Sequence, residues 1–238
     1  LKYLIYTFIL IIFLSCNNDD DKIVPEAGYN YFPLQLNLYR DYKINNTKYF
    51  LRPDSTLNKV VPDSTVKEYY LREIIASKFL DFEGDSALRI EIYTKAQLLD
   101  EWPNQPDSIA IAKIKNDELI YEINNRTLIK LIFPVKNGLS WNANKFNSLG
   151  EEIYSINNLG ASIQLTDTIL SPALSIIQSD IENLVEVDKR TEEYVLNVGL
   201  ARKNTRILQY RQSNGMVLTG EIEKGTIFSQ ELIKNGKI

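Results

Sequence analysis

The sequence predicts an all-β fold, mainly antiparallel, built as a sandwich or a partly open barrel with few short helical turns. Three observations predict it. Segments such as "ALRIEIYTK" (residues 87–95) and "SIAIAKI" (108–114) alternate side-chain character, the period-two pattern of a half-buried strand. Turn-forming residues recur at roughly 8–12-residue spacing, as in sandwiches and barrels. The one stretch near helical period, residues 66–84, carries aromatic and β-branched residues that favour a strand.

Taken in order, residues 22–30 read as a linker into the fold. "LNLYRDYKIN" and "TKYFLR" read as short strands around an "NNT" turn at residues 45–47. Residues 52–65, "RPDSTLNKVVPDST", read as a loop with two prolines and two Asp-Ser turns. Residues 66–84 and 87–95 make a hairpin, and "AQLLDEW" (96–102) a single helical turn before Pro103. Residues 108–135 read as a three-stranded meander with "ND" and "NN" as its turns. "TEEYVLNVGLARKNTRILQYR" (191–211) and "GTIFSQELIKNG" (225–236) continue as strands. Pro33 and Pro134 each fix φ and remove a donor, so each marks strand entry. Tyr39 and Trp141, which follow these prolines, are expected to point inward as core rings with Tyr42. The same expectation holds for Trp102.

The N-terminus carries an address. Lys2 precedes Tyr3–Leu14, a run in which Thr7 is the one polar residue. That is the charged start and apolar stretch of a secretory signal, too short for the ~20 residues of a bilayer span. It ends in Phe13-Leu14-Ser15-Cys16, which resembles the bacterial lipobox. The resemblance implies removal of residues 1–15 and lipidation of Cys16, the chain's one cysteine. Two acyl chains hold firmly where one holds marginally. Asn17, Asn18, Asp19, Asp20 and Asp21 then resemble the acidic export signal of Bacteroidota surface lipoproteins. That resemblance implies display on the outer face of the outer membrane, with a periplasm-facing anchor as the alternative. The resulting organisation is a signal peptide at 1–15, a lipidated acidic tether at 16–28 and one β-rich domain at 29–238.

Composition excludes several chemistries. Apolar content of 44% and charged content of 24% are those of an ordinary globule. The formal net charge is −4 and no Lys/Arg stripe appears, so nucleic acid is not an expected partner. No histidine occurs anywhere, which removes Ser-His-Asp and Cys-His catalysis and the usual histidine metal sites. Gly220 to Gly225 has phosphate-loop spacing, but Thr226 stands where the motif needs lysine. No cofactor is implied. Glu151-Glu152 and Glu192-Glu193 are strand neighbours facing opposite ways. Asp180 and Glu182 share a face, but their expected place, like that of the other pairs, is solvated surface.

Further phrases extend the resemblance. "YFPLQLNLYRDYKI" (31–44), "LIKLIFPVKNGLSWNANKFN" (128–147) and "EEYVLNVGLARKN" (192–204) resemble segments of uncharacterised lipoproteins of Bacteroidota. The family's Gly-x-x-Trp is replaced here by Leu36–Tyr39, which lacks the glycine. The resemblance implies a location and a β-fold but no mechanism. Five Asp-Ser/Thr steps resemble the O-glycosylation sequon of exported Bacteroidota proteins. They make Ser55, Ser64, Ser86, Ser108 and Thr168 candidate glycan sites, the first two foremost because residues 52–65 read as a loop. Asp-Ser and Asp-Thr are also plain turn starters. The expected function is a non-catalytic binding or envelope-structural lipoprotein, anchored to the membrane and contacting a glycan, an apolar ligand or another envelope protein. The alternative is a carboxylate-dependent carbohydrate hydrolase.

Overall fold

The computed structural model describes residues 27–57, 59–213 and 216–238. One 3-10 turn, Tyr29–Tyr31, precedes twelve strands, and no α-helix occurs among the described residues. The strands are β1 (Leu38–Asp54), β2 (Lys59–Leu80), β3 (Ser86–Lys95), β4 (Ser108–Lys115), β5 (Glu118–Ile123) and β6 (Arg126–Ile132). They continue with β7 (Ser140–Asn142), β8 (Ile153–Gln164), β9 (Ile169–Glu182), β10 (Glu186–Val195), β11 (Gly199–Ser213) and β12 (Met216–Lys237). All lie in one antiparallel sheet of order β6-β5-β4-β3-β2-β1-β12-β11-β10-β9-β8-β7. Sequence neighbours pair within each half, and β1 joins the halves by pairing with β12 from Leu38↔Lys237 to Tyr49↔Gly225.

The sheet curls until its two ends meet. Ile129 N–H on β6 donates to Ala143 O beyond β7 at 3.0 Å. Trp141 Nε1 donates to Ile129 O at 2.9 Å, and Asn147 Nδ2 to Thr127 O at 2.7 Å. Arg126 reaches Asn144 and Glu152 across the same seam. The result is a nearly closed barrel, in which the seam satisfies part of two otherwise open edges.

Side chains alternate across the wall. Tyr42, Ile44, Ile75, Ile90, Ala110, Ala112 and Leu119 are fully buried on the inner face. The main core cluster joins the β2–β5 residues of this set to Trp141, Tyr154, Ile156, Leu174, Ile176 and Tyr194 from the other half. A second cluster packs Tyr42, Ile44 and Leu232 against Ile163, Leu165, Ala173 and Val195. Tyr31 and Phe32 enter from one end, the base, and plug it. Phe32 meets Tyr121 edge-on at 6.3 Å and Tyr194 at 6.2 Å. Gly28, at φ 85°, lies so close that a Cβ there would meet Val135 at 2.4 Å.

The β4–β5–β6 meander stands where the sequence places it. Its turns hold Asn116-Asp117 and Asn124-Asn125, all four at positive φ, as two-residue hairpin turns demand. Residues 66–80 are strand, as their side chains favour. Four expectations change. "NNT" is not a turn, because β1 runs straight through it with β2 on one side and β12 on the other. The cost is visible in Asn46, whose Oδ1 is buried without a partner. Residues 52–65 are not a loop: turning is confined to the stretch after Asp54, and Pro53 and Pro62 lie in paired strand. There β12 and β3 no longer flank the hairpin, so each proline's missing donor faces solvent. Residues 96–102 form turns and bends rather than a helical turn. Tyr39 faces outward, because the inner row of β1 is Arg40, Tyr42 and Ile44.

Trp141 closes the seam with its ring and its indole N–H, packed edge-on to Tyr154 at 6.0 Å. Trp141→Ala should therefore cost about 3–5 kcal/mol of unfolding free energy, measured by urea denaturation. Trp141→Phe, which keeps bulk and removes the donor, should cost less. Loss within about a kcal/mol for the alanine variant would reject the ring as a core plug.

Candidate functional site

The barrel interior holds charge as well as apolar side chains. Glu192 on β10 is 1% exposed, against the expectation of solvated surface. Lys130 Nζ on β6 donates to its Oε1 at 2.6 Å, Tyr194 OH donates to its Oε2 at 2.6 Å, and Lys203 Nζ lies 3.3 Å away. These cations and the phenol hold the Glu192 carboxyl well below the usual carboxylate range, although burial alone would raise it. On the facing strands Arg40 is 2% exposed. Its Nη1 donates to Val198 O at 3.1 Å and its Nε to Glu73 at 3.4 Å. Gly199, at φ 97°, leaves room for it: a Cβ would meet Arg40 Nη1 at 2.5 Å. Tyr42 OH donates to Leu200 O at 3.0 Å. Burial pushes the phenols of Tyr42, Tyr121 and Tyr194 well above their ordinary value, so they stay neutral donors. This network and the aromatic plug fill the centre of the barrel.

Ligand-accessible relief lies outside the wall. A groove of about 720 Å³ crosses the outer face of β1, β2 and β12, between residues 95–102 and the β8–β9 turn. Asp41 and Arg72 form its floor as a two-pronged ion pair at 2.6 and 2.7 Å. Trp102 is not core. It stands partly exposed at the rim, with Arg72 4.6 Å and Lys95 4.5 Å from its ring centre. Arg72 also lies 4.8 Å from the Tyr39 ring. Tyr70, Lys43, Asn45, Asp167 and Glu231 complete the lining. Chemically this is an aromatic edge beside alternating donors and acceptors, a surface suited to a polar, ring-bearing ligand.

A second groove, about 690 Å³, runs over the outer face of β4 and β5 from the β2–β3 turn to Phe146. At its head Asp81, Glu83 and Asp85 bring carboxylate oxygens within 4.8 Å of one another, a spacing a metal ion accepts. Two lysines occupy that position. Lys113 Nζ contacts Asp81 at 2.5 Å and Glu83 at 3.0 Å, while Lys115 contacts Glu83 at 2.8 Å and Asp85 at 2.6 Å. Asp81 Oδ1 also accepts the N–H groups of Glu83 and Asp85. The carboxylates are satisfied as a turn lock rather than left open for a cation.

The sequence-predicted residues fall as follows. Cys16 and the acidic run Asn17, Asn18, Asp19, Asp20 and Asp21 lie outside the described residues. Ser55 is exposed in the β1–β2 turn, and Thr168 is exposed beside the β8–β9 turn. Ser64 and Ser86 are exposed within strands and Ser108 is half-buried at a strand start, so the five do not share a loop environment. Asp180 and Glu182 share Lys189 at 3.5 and 2.6 Å on an exposed face. Glu193 pairs with Arg202 outside the barrel, back to back with Glu192, and Glu152 pairs with Arg190. Arg40, Glu73 and Lys130 had no signal of their own. Parity with Tyr42, Ile75 and Leu128 on their strands is what marks an inner row.

No protein-family model matches the chain. No curated protein matches it. Among solved structures the chain is similar to a "putative exported protein with YmcC-like fold" from Bacteroides fragilis. The two share 10% identity at a TM-score of 0.38, over 87% of this chain and 98% of that one.

Glu192 makes the interior acid-sensitive. Its folded value lies below the ~4.3 of an unfolded glutamate. Its contribution to stability is therefore fully present above about pH 4.3 and is lost as pH falls towards the folded value. Glu192→Gln leaves Lys130 without its counter-charge and should cost about 3–5 kcal/mol at pH 7. The gap to wild type should narrow at pH 3. Urea unfolding at both pH values checks this, and an unchanged gap would refute it.

Proposed function

We propose that the chain is a lipid-anchored envelope protein that binds a partner on its outer surface and is not an enzyme. One observation carries the reading: the centre of the barrel is occupied by Phe32, Tyr42, Tyr121, Tyr194 and the ion pairs of Arg40 and Glu192. A carrier of an apolar molecule needs that volume for its cargo. Recognition then falls to the outer grooves, where Trp102, Tyr70 and Asp41–Arg72 favour a glycan. A carbohydrate hydrolase needs two carboxyl groups across an open cleft. Glu192 is sealed against Lys130, and Asp180 and Glu182 share one exposed lysine.

The anchor reading rests on Phe13–Cys16 and the display reading on Asn17–Asp21. No helix among the described residues is long and apolar enough to cross a membrane. Lipid on Cys16 is the proposed attachment, with the outer face of the outer membrane as its place.

Four measurements test this. Mass spectrometry of the mature N-terminus should find acylated Cys16, and Cys16→Ser should move the protein from the membrane to the soluble fraction. Replacing Asp19, Asp20 and Asp21 by alanine should keep the anchor and remove protease accessibility on intact cells. Unchanged partition or unchanged accessibility would reject anchor and display respectively. On a glycan array, Trp102→Ala should lose binding while thermal stability changes little, since exposed cation–π contacts contribute only about 0.5–1 kcal/mol each. Glycan binding that survives the substitution would exclude this groove.

A further inference from the structure

The second groove and the chain's point of entry share one end of the barrel. Ala27 O accepts the Val135 N–H at 3.1 Å, and Tyr29 OH donates to Asp117 at 2.6 Å. Tyr29 and Phe133 rings lie 4.5 Å apart, and Phe133 N–H donates to Asp117 O at 2.8 Å. Asp117 is the hairpin residue between Asn116 and Glu118, both of which line the groove. The β2–β3 turn is at this end too, tied there by Lys115 to Glu83 and Asp85. Chain entry, the β4–β5 turn and the β2–β3 turn thus form one surface, the base. The β1–β2 turn, reached by strands that run away from it, is at the opposite end.

The base carries an apolar patch that the fold leaves uncovered. Phe82, at the tip of the β2–β3 turn, is completely exposed and Leu80 is 72% exposed, while Phe146, 46% exposed, closes the far end of the groove. Phe79, Ile111 and Ile120 continue the patch into the groove. Lys145 Nζ lies 5.0 Å from the Phe146 ring centre, and Lys113 and Lys115 line the same groove as Phe82. Exposed aromatic and aliphatic tips suit a bilayer interface, where apolar side chains enter the boundary between headgroups and acyl chains. Because Asp81, Glu83 and Asp85 outnumber Lys113 and Lys115 by one, and Glu118 pairs with Lys145, the patch carries a slight anionic excess, which suits neutral rather than anionic lipid.

We propose that this patch rests on the membrane in which the chain is anchored, with Phe82 and Leu80 inserted at the lipid interface and the β1–β2 hairpin pointing away. The proposal rests on the anchor reading above. Eleven residue steps separate Cys16 from Ala27, which limits their distance to roughly 36–40 Å when fully extended. The base therefore lies within that reach of the lipid surface, and its exposed apolar tips share the end of the barrel at which the tether enters.

The test uses the full chain with Phe82→Trp, reconstituted in phosphatidylcholine vesicles with brominated acyl chains. Phe50→Trp, on the distal part of β1, is the control, and the signal of Trp102 and Trp141 is subtracted with the wild type. Vesicle flotation first reports anchoring on its own. In the anchored protein the added emission of the Phe82→Trp variant should shift to the blue and lose intensity in brominated vesicles, while that of the Phe50→Trp variant should not respond. Flotation with an unresponsive Phe82→Trp variant, or equal quenching of both variants, overturns the proposal and leaves the anchor standing. If the chain does not float, the anchor reading fails. The Cys16 thiol is then coupled to maleimide-bearing lipid and the same two outcomes decide. Phe82 is fully exposed, so the substitution leaves the fold's packing unchanged.

Discussion

One pairing makes this molecule a single object: β1 against β12, twelve registered positions from the two ends of the chain. Every other ladder joins strands adjacent in sequence. Without it the described residues would be two six-stranded meanders joined at the β6–β7 seam, each with an exposed long edge. Closing so long a loop costs entropy only logarithmically, about 0.6 kcal/mol for each doubling of length. A ladder of this size offsets that cost easily. Its consequence is kinetic, because non-local pairing slows folding more than it weakens the product. The same closure brings Arg40 and Tyr42 of β1 against Val198 and Leu200, so the inner polar network exists only once the halves have joined.

That network explains why charges are tolerated inside so narrow a barrel. Moving an ion from water into the interior costs several kcal/mol, and attraction to a partner repays it only where the remaining valences are also bonded. Glu192, on β10, meets that condition through Lys130 of β6, Tyr194 of its own strand and Lys203 of β11. Arg40 meets it through Val198 O, Glu73 and the Phe32 ring, 5.4 Å from its guanidinium carbon. A shifted register would turn these side chains to the solvent face and expose apolar ones. The ions therefore act as register keys as much as sources of stability, and the plug formed by Phe32 sits directly on them.

Much of the architecture was legible in local chemistry. Asn116-Asp117 and Asn124-Asn125 read correctly because two-residue hairpins require positive φ, which asparagine and aspartate tolerate. Asn45-Asn46 carries the same signal and means nothing, since ladders on both sides hold it extended. Local preference yields there to tertiary pairing, and no window around those residues contains β12. Glu192 was illegible for a similar reason. Its neighbour Glu193 and the surrounding charges look like surface, and only the parity with Tyr194 places it inside. Trp102 misled in the opposite sense: a tryptophan is usually buried, but this one is held by Arg72 and Lys95 on the outer wall. Of the groove it belongs to, the sequence shows nothing, because its lining comes from β1, β2, β12 and two separate turns.

The two Phe-Pro phrases, so alike in sequence, have unlike roles that together polarise the molecule. Phe32-Pro33 leads to the central strand β1, and its phenylalanine becomes the plug. Phe133-Pro134 leads to the short edge strand β7, and its phenylalanine is covered by Tyr29 where the chain enters. Both phrases lie at the base. The C-terminus returns there as well, with the Ile238 N–H bonded to Asn37 O at 2.9 Å. Backbone entry, exit and plug are thus concentrated at one end. The other end is left to two long hairpins, β1–β2 and β11–β12, that extend beyond the barrel core and show apolar side chains such as Val66 and Met216 to solvent. A chain tethered through its N-terminus would hold the base to its support and present those hairpins outward. The Trp102 groove, midway along the wall, remains open in either orientation, because neither the base nor the distal hairpins lie across it.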